Sequence, residues 1–150
     1  MTDHMLPSLR PLVEQGFPFV QRMGVRLDAI RPGHCRMTAP IEDNRNHIGT
    51  MYAGALFTLA ELPGGAIFLS TFDSARYHPI IKGMDIRFLK PATTDISVEV
   101  SIGESEVQRI QAAAADAGKA DYSLTCELVD TAGVVVARST NHYQLRAHGT

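Results

Sequence analysis

The chain is short of the residues that mark several large functional classes. It has two cysteines, Cys35 and Cys126, far apart and outside any CxxC pattern. That gives neither a disulfide framework nor a redox pair, so reduced thiols in a cytoplasmic setting are expected, and Met1 opens no signal-peptide pattern. Lys and Arg number 14 against 16 Asp and Glu, a formal charge of −2 spread along the chain. With no basic run, neither a nucleic acid nor an anionic membrane surface is an expected partner. His34, His78 and His142 have no ligand spacing with one another, so no metal is expected. There is no GxSxG segment to mark a nucleophilic serine and no GxGxxG to mark a dinucleotide site.

One apolar run, Met51 to Phe72, is long enough to span a bilayer, but Glu61 sits at its centre beside Pro63-Gly64-Gly65. A central acid alone costs about 2.5–3.5 kcal/mol on insertion scales. A buried core helix is the better reading, and no membrane association is expected. The 150 residues, 45% of them hydrophobic, suffice for a single domain spanning 1–150 with its own core. No repeat or linker divides it.

Periodicity gives the elements. Residues 1–22 form an N-terminal helical segment, with a helix over Met5–Gln15 interrupted at Gly16-Phe17-Pro18-Phe19. Val25, Leu27 and Ala29 alternate with polar residues, Pro32-Gly33 turns the chain, and Cys35, Met37, Ala39 and Ile41 alternate again, which reads as a hairpin. After the apolar helix, a strand runs from His78 through Met84, Ile86 and Phe88 to Pro91. Ile96, Val98, Val100 and Ile102 alternate strictly, the clearest half-buried strand. A second helix is expected over 104–117, with Ser105 near its start and Gly118 ending it. Tyr122, Leu124, Cys126 and Leu128 form one strand face, and Asp130-Thr131-Ala132-Gly133 turns into a last strand, Val134–Leu145. Strands gathered around one apolar helix suggest an α+β domain whose antiparallel sheet wraps on that helix.

The segment from Asn46 to Glu61, NHIGTMYAGALFTLAE, carries the functional signal. The helix begins near Tyr52-Ala53-Gly54, and its start presents free N–H groups and the positive end of the dipole. Small residues at Ala53 and Gly54 allow a ligand close to that backbone. Glu61 is seven residues beyond Gly54, on the same helix face and roughly 10.5 Å along the axis. Thr58 lies between them. Glu61 is the only charge from Tyr52 to Phe72, and a carboxylate buried alone costs several kcal/mol unless it is paired, protonated or solvated. Donors aimed at a developing oxyanion, with an acid two turns away, suit attack on a carbonyl.

This segment resembles the central-helix motif of the hotdog-fold acyl-CoA thioesterases, in the branch that includes the phenylacetyl-CoA thioesterases. That branch reads Asn, a short turn, His-Gly-Gly, then Phe-x-Leu-Ala-Asp. Here Asn46, Gly49, Tyr52-Ala53-Gly54 and Phe57-Thr58-Leu59-Ala60-Glu61 follow without a gap. Tyr52-Ala53 stands for His-Gly, Glu61 for Asp, and Pro63 follows the acid. The resemblance implies a hotdog fold, a homodimer or dimer of dimers, sites between subunits, and hydrolysis of acyl-CoA or acyl-carrier thioesters. Coenzyme A enters as part of the substrate, and no cofactor or metal is implied. The implied catalytic set is Glu61 as general base or nucleophile, Asn46 from the facing subunit, and the backbone of Ala53 and Gly54. Met51, Tyr52, Phe57 and Thr58 would line the substrate, with Phe17, Phe19 and Phe68 available to an aliphatic or aromatic acyl pocket.

Other readings stay open. His47 sits fourteen residues before Glu61, a separation similar to that in the hotdog β-hydroxyacyl dehydratases, although Leu59 stands where those enzymes place a glycine. Asn46 can simply fix a turn, Thr58 can bond the Gly54 carbonyl, and Glu61 can be a structural acid at an interface. A non-catalytic hotdog module binding acyl groups is the alternative from another class. Lys82, Arg87 and Lys90 could meet phosphates or simply be solvated strand-face charges.

Overall fold

Two short helices open the described part of the chain, which in the computed structural model is residues 4–150. Residues 1–3 of the expected 1–22 segment lie outside the described residues. Helix α1 spans Leu6–Glu14 and buries Val13. The helix is interrupted after Glu14 as expected, but only over 15–17, and a second short helix, α2 (Pro18–Met23), begins within the expected break. Pro18 takes the first helical position, where its preset φ helps and its missing N–H is not needed. Gly24 closes α2 at φ 73°.

Strands β1 (Arg26–Arg31) and β2 (His34–Ala39) form the expected hairpin through Pro32-Gly33. The alternation expected for β1 breaks at a bulge between Leu27 and Ala29. The extra residue shifts the phase, so Ile30, fully buried, points inward in place of Ala29. Helix α3 (Ala53–Thr71) follows, then β3 (Tyr77–Phe88) and β4 (Ile96–Ser101). Helix α4 (Glu104–Ala117) starts from Gly103, and no side-chain hydroxyl caps it, so Ser105 does not serve there. Glu104 and Glu106 favour its N-terminal dipole, and Gly118 ends it in the left-handed region. Strands β5 (Lys119–Val129) and β6 (Val135–Ala147) complete the chain.

All six strands join in one antiparallel sheet of order β1-β2-β4-β5-β6-β3. α3 packs against every strand of it. Leu59, Ala60 and Ile67 on that helix are sealed from solvent, and full burial of each large apolar side chain contributes about 1.5–3 kcal/mol. This is the α+β hotdog arrangement, a sheet wrapped around a long central helix. α3 is long and apolar enough to cross a membrane, but most of it is buried in the protein, as in a core helix.

Two features of the sheet position the site. β4 and β5 pair only at Ser97 with Val129 and Val98 with Leu128, and α4 packs against β5 and β6 with Ile110 and Ala114 buried. At the other end, β3 is an edge strand, bonded to β6 on one side only. A bulge between Ile81 and Gly83 interrupts its register. Its expected inward face is only partly covered: Met84 and Ile86 are half-buried, and Phe88 is 50% exposed.

Candidate functional site

The start of α3 is held by backbone bonds from both sides. Met51 N–H donates to the Ala92 carbonyl and Tyr52 N–H to the Asn44 carbonyl, each at 2.8 Å. The Tyr52 carbonyl then accepts the N–H groups of Ala55 and Leu56 at 3.0 and 3.1 Å. The N–H groups of Ala53 and Gly54 have no partner among the described residues, so the helix presents two adjacent donors. The Tyr52 ring folds back over Gly54 so closely that a Cβ there would overlap it. Glycine is what lets the ring and the helix start share that space.

The loop before the helix is built on Asn46. Its side-chain oxygen accepts the N–H groups of Ile48 at 3.0 Å and Thr50 at 3.1 Å, and its amide nitrogen donates to Thr50 Oγ1 at 2.8 Å. Gly49, at φ 88°, closes the turn. Within one chain Asn46 therefore fixes its own loop. It borders two concavities. One, of about 660 Å³, lies between α2 and the 43–47 loop and is lined by Phe19, Arg22, Met23, His47, Tyr52 and Ala55 among others. The second, about 330 Å³, joins Asn46, Met51, Ala53 and Leu56 to Phe88 at the end of β3 and Leu89 just beyond it.

Glu61 lies elsewhere. It lines a cavity of about 270 Å³ with Phe57 on its own helix and Ile81, Lys82, Gly83 and Met84 at the β3 bulge. Its carboxyl makes no hydrogen bond or ion pair among the described residues, and burial raises it above the usual carboxylate range. Lys82, the nearest cation in the cavity, is held 3.6 Å from Asp121. Thr58 donates its hydroxyl to the Gly54 carbonyl at 2.8 Å. The chain thus gathers Asn46, Met51 and Ala53 in one place, and Phe57 with Glu61 in another. Phe68 packs in the core against Phe72, and Phe17 is exposed.

A polar group that sequence reasoning missed stands behind Glu61. Pro63 has no N–H to give the Leu59 carbonyl. Next to that gap, the turn carrying Glu61 is held from the sheet. Asn141, fully buried on β6, donates to the Ala60 carbonyl at 2.9 Å and to the Tyr143 hydroxyl at 3.1 Å. Tyr143 in turn donates to the Glu61 carbonyl at 3.3 Å. The Cys126 thiol lies 3.5 Å from the Ala60 carbonyl. One signal existed: Asn141 interrupts the inward-facing period of Ser139, Tyr143 and Leu145. Burial pushes Cys126 up to about 11 and Cys35 up to about 12, so both thiols are protonated at neutral pH.

The fold defines a protein of the hotdog architecture. Residues 9–145 match the family described as a domain of unknown function (DUF4442), and the chain belongs to that family. A Pseudomonas aeruginosa protein of unknown function, called a probable thioesterase, has a crystal structure that is similar with 51% identity, 95% of each chain covered and a TM-score of 0.92. A Chlorobaculum tepidum protein of unknown function is similar at 20% identity, over 96% of this chain and 95% of that one, with a TM-score of 0.84. A mutant thioesterase from Pseudomonas aeruginosa is similar at 12% identity, over 98% and 95%, with a TM-score of 0.73. The last two show the fold alone. No curated protein matches the chain.

Proposed function

We propose that this protein hydrolyses acyl-CoA thioesters to free acid and thiol, in the manner of the phenylacetyl-CoA thioesterase branch. One observation carries the reading: Glu61 is a half-buried carboxyl, unpaired among the described residues, facing a cavity from the middle of the core helix and held above its usual range by desolvation. Raised acids in cavities are candidates for proton transfer at neutral pH. The two free N–H groups at Ala53 and Gly54 suit an oxyanion. The 51% identical relative being called a probable thioesterase supports the same reading.

The chemistry needs no redox partner. The thioester carbonyl rests on the Ala53 and Gly54 N–H groups. Glu61 takes a proton from water as the water oxygen bonds to the carbonyl carbon. The tetrahedral intermediate then breaks its carbon–sulfur bond, and the departing thiolate takes the proton from Glu61. The nucleophilic variant instead forms a Glu61 anhydride, which water opens. The start of α3 and Glu61 border different cavities of one chain, so within it they do not face one carbonyl. We therefore assign the two halves to different copies, with the open edge of β3 and exposed Phe57, Ile81 and Phe88 as the joining surface. Asn46 from the facing subunit orients the water or the carboxylate. Met51, Tyr52, Phe57 and Thr58 line the acyl thioester. The working form is a cytoplasmic homodimer or dimer of dimers, using neither metal nor membrane nor nucleic acid.

A second reading is favoured by the Tyr52 ring over Gly54 and by the closed turn of Asn46: a module that binds acyl-CoA without cleaving it. The dehydratase alternative would likewise need His47 and Glu61 from different copies, because they line different cavities of the chain. Thiol release from an acyl-CoA panel, beside dehydration of a 3-hydroxyacyl-CoA, separates the three. Thiol release is expected. Binding without turnover would establish the module, and dehydration lost in His47→Ala the dehydratase.

A further inference from the structure

The Asn141–Tyr143 pair does something that core packing alone does not require. Two buried donors from one strand are spent on consecutive carbonyls of α3, those of Ala60 and Glu61. Gly64, one turn on, leaves the space the Tyr143 hydroxyl occupies, since a Cβ there would overlap it. Pro63 interrupts the helix's own hydrogen bonding on the same turn. The paired stretch of β3, where Ile81 faces Tyr143 and Met84 faces Asn141, also lines the Glu61 cavity. Proline gap, glycine clearance and two sheet donors therefore meet at the turn that bears the acid.

We infer that Tyr143 and Asn141 are positioning residues for Glu61: they fix the backbone of its turn from behind and so aim the carboxyl at the β3 bulge. The inference rests on Glu61 being the working acid. A misplacement of about 1 Å can cost a hundredfold in rate, so a brace on the backbone bearing the acid has leverage that a surface contact lacks. The chain of donors runs one way. The Asn141 amide donates to the Tyr143 hydroxyl, whose own hydrogen is thereby directed to the Glu61 carbonyl. Neighbouring Tyr122 supplies a control, because its ring stacks on Tyr143 at 5.5 Å while its buried hydroxyl has no hydrogen-bond partner among the described residues. The titratable groups around Glu61 are Lys82 from β3, Tyr143 from β6 and, beneath Ala60, Cys126 from β5.

The test compares Tyr143→Phe with Tyr122→Phe in the 150-residue protein, by acyl-CoA hydrolysis and by 13C NMR titration of the Glu61 carboxyl. In Tyr143→Phe, kcat is expected to fall about ten- to a hundredfold with KM within about twofold. The Glu61 titration should move down towards the ordinary carboxylate range as the loosened turn admits water. Tyr122→Phe should leave both readouts unchanged. If the two variants behave alike, or Tyr143→Phe leaves the Glu61 titration in place, the inference is overturned. A wild type that hydrolyses nothing would instead remove the thioesterase reading, and the NMR titration would still decide whether Tyr143 positions Glu61.

Discussion

Among the described residues Glu61 makes no ion pair and no side-chain hydrogen bond, and it faces a cavity walled mainly by Phe57, Ile81 and Met84, whose one cation, Lys82, pairs with Asp121. Glu61→Gln keeps the shape and removes the proton acceptor, so kcat should fall at least about a hundredfold while substrate binding survives. Steady-state kinetics beside an equilibrium binding measurement checks this. The raised carboxyl also sets the sign of a stability effect. A folded-state value above the unfolded one means the native protein binds the extra proton. Its stability therefore declines as pH rises from the unfolded value through the raised folded value. Glu61→Gln is free of that loss. The variant should melt above wild type at neutral pH, and the gap should narrow as the pH falls below the ordinary carboxylate range. Thermal melts of both proteins from acid to neutral pH read it directly. Activity should carry the same group as an acid limb lying above the ordinary carboxylate range.

At the scale of elements, α3 is where local rules and tertiary demands conflict. Gly64 and Gly65 are adjacent in the helix, yet only Gly64 faces Tyr143; a Cβ at Gly65 meets nothing within 4 Å. Gly64→Ala should destabilise by about 1–3 kcal/mol through overpacking. Gly65→Ala should stabilise by roughly 0.5–1 kcal/mol, because alanine is the better helix former. Urea unfolding of the two variants distinguishes them. Much of this layout was legible from residues alone. β4 could be read because Ile96, Val98 and Val100 face one core while their neighbours face out. The start of α3 could be read because Tyr52-Ala53-Gly54 ends a polar loop and opens an apolar run. The bulges at Leu27/Ala29 and Ile81/Gly83 could not, because a bulge belongs to the register of two strands. α2 was hidden because proline breaks a helix from within but begins one well. Of the site, the acid and the helix start were visible. The Asn141–Tyr143 brace was not, since its acceptors exist as free partners only where α3 is packed against β6.

For the whole molecule, the open edge of β3 is the outstanding feature. It carries a twelve-residue strand bonded on one side, with apolar Ile81 and Phe88 exposed. Such edges invite pairing with another chain. Light scattering at micromolar concentration should report a dimer or tetramer, and Ile81→Lys should shift it towards monomer with loss of hydrolysis. The proposed sharing of the site between copies gives the sharpest test. Glu61→Gln and Gly54→Val each disable a different half of it, so each protein alone should be inactive. Unfolded together and refolded as a random mixture, the two should recover about a quarter of wild-type thioester hydrolysis, because half the dimers are mixed and each mixed dimer holds one intact site. A mixture as inactive as its parents, from a wild type that is active, would contradict a site built from two copies.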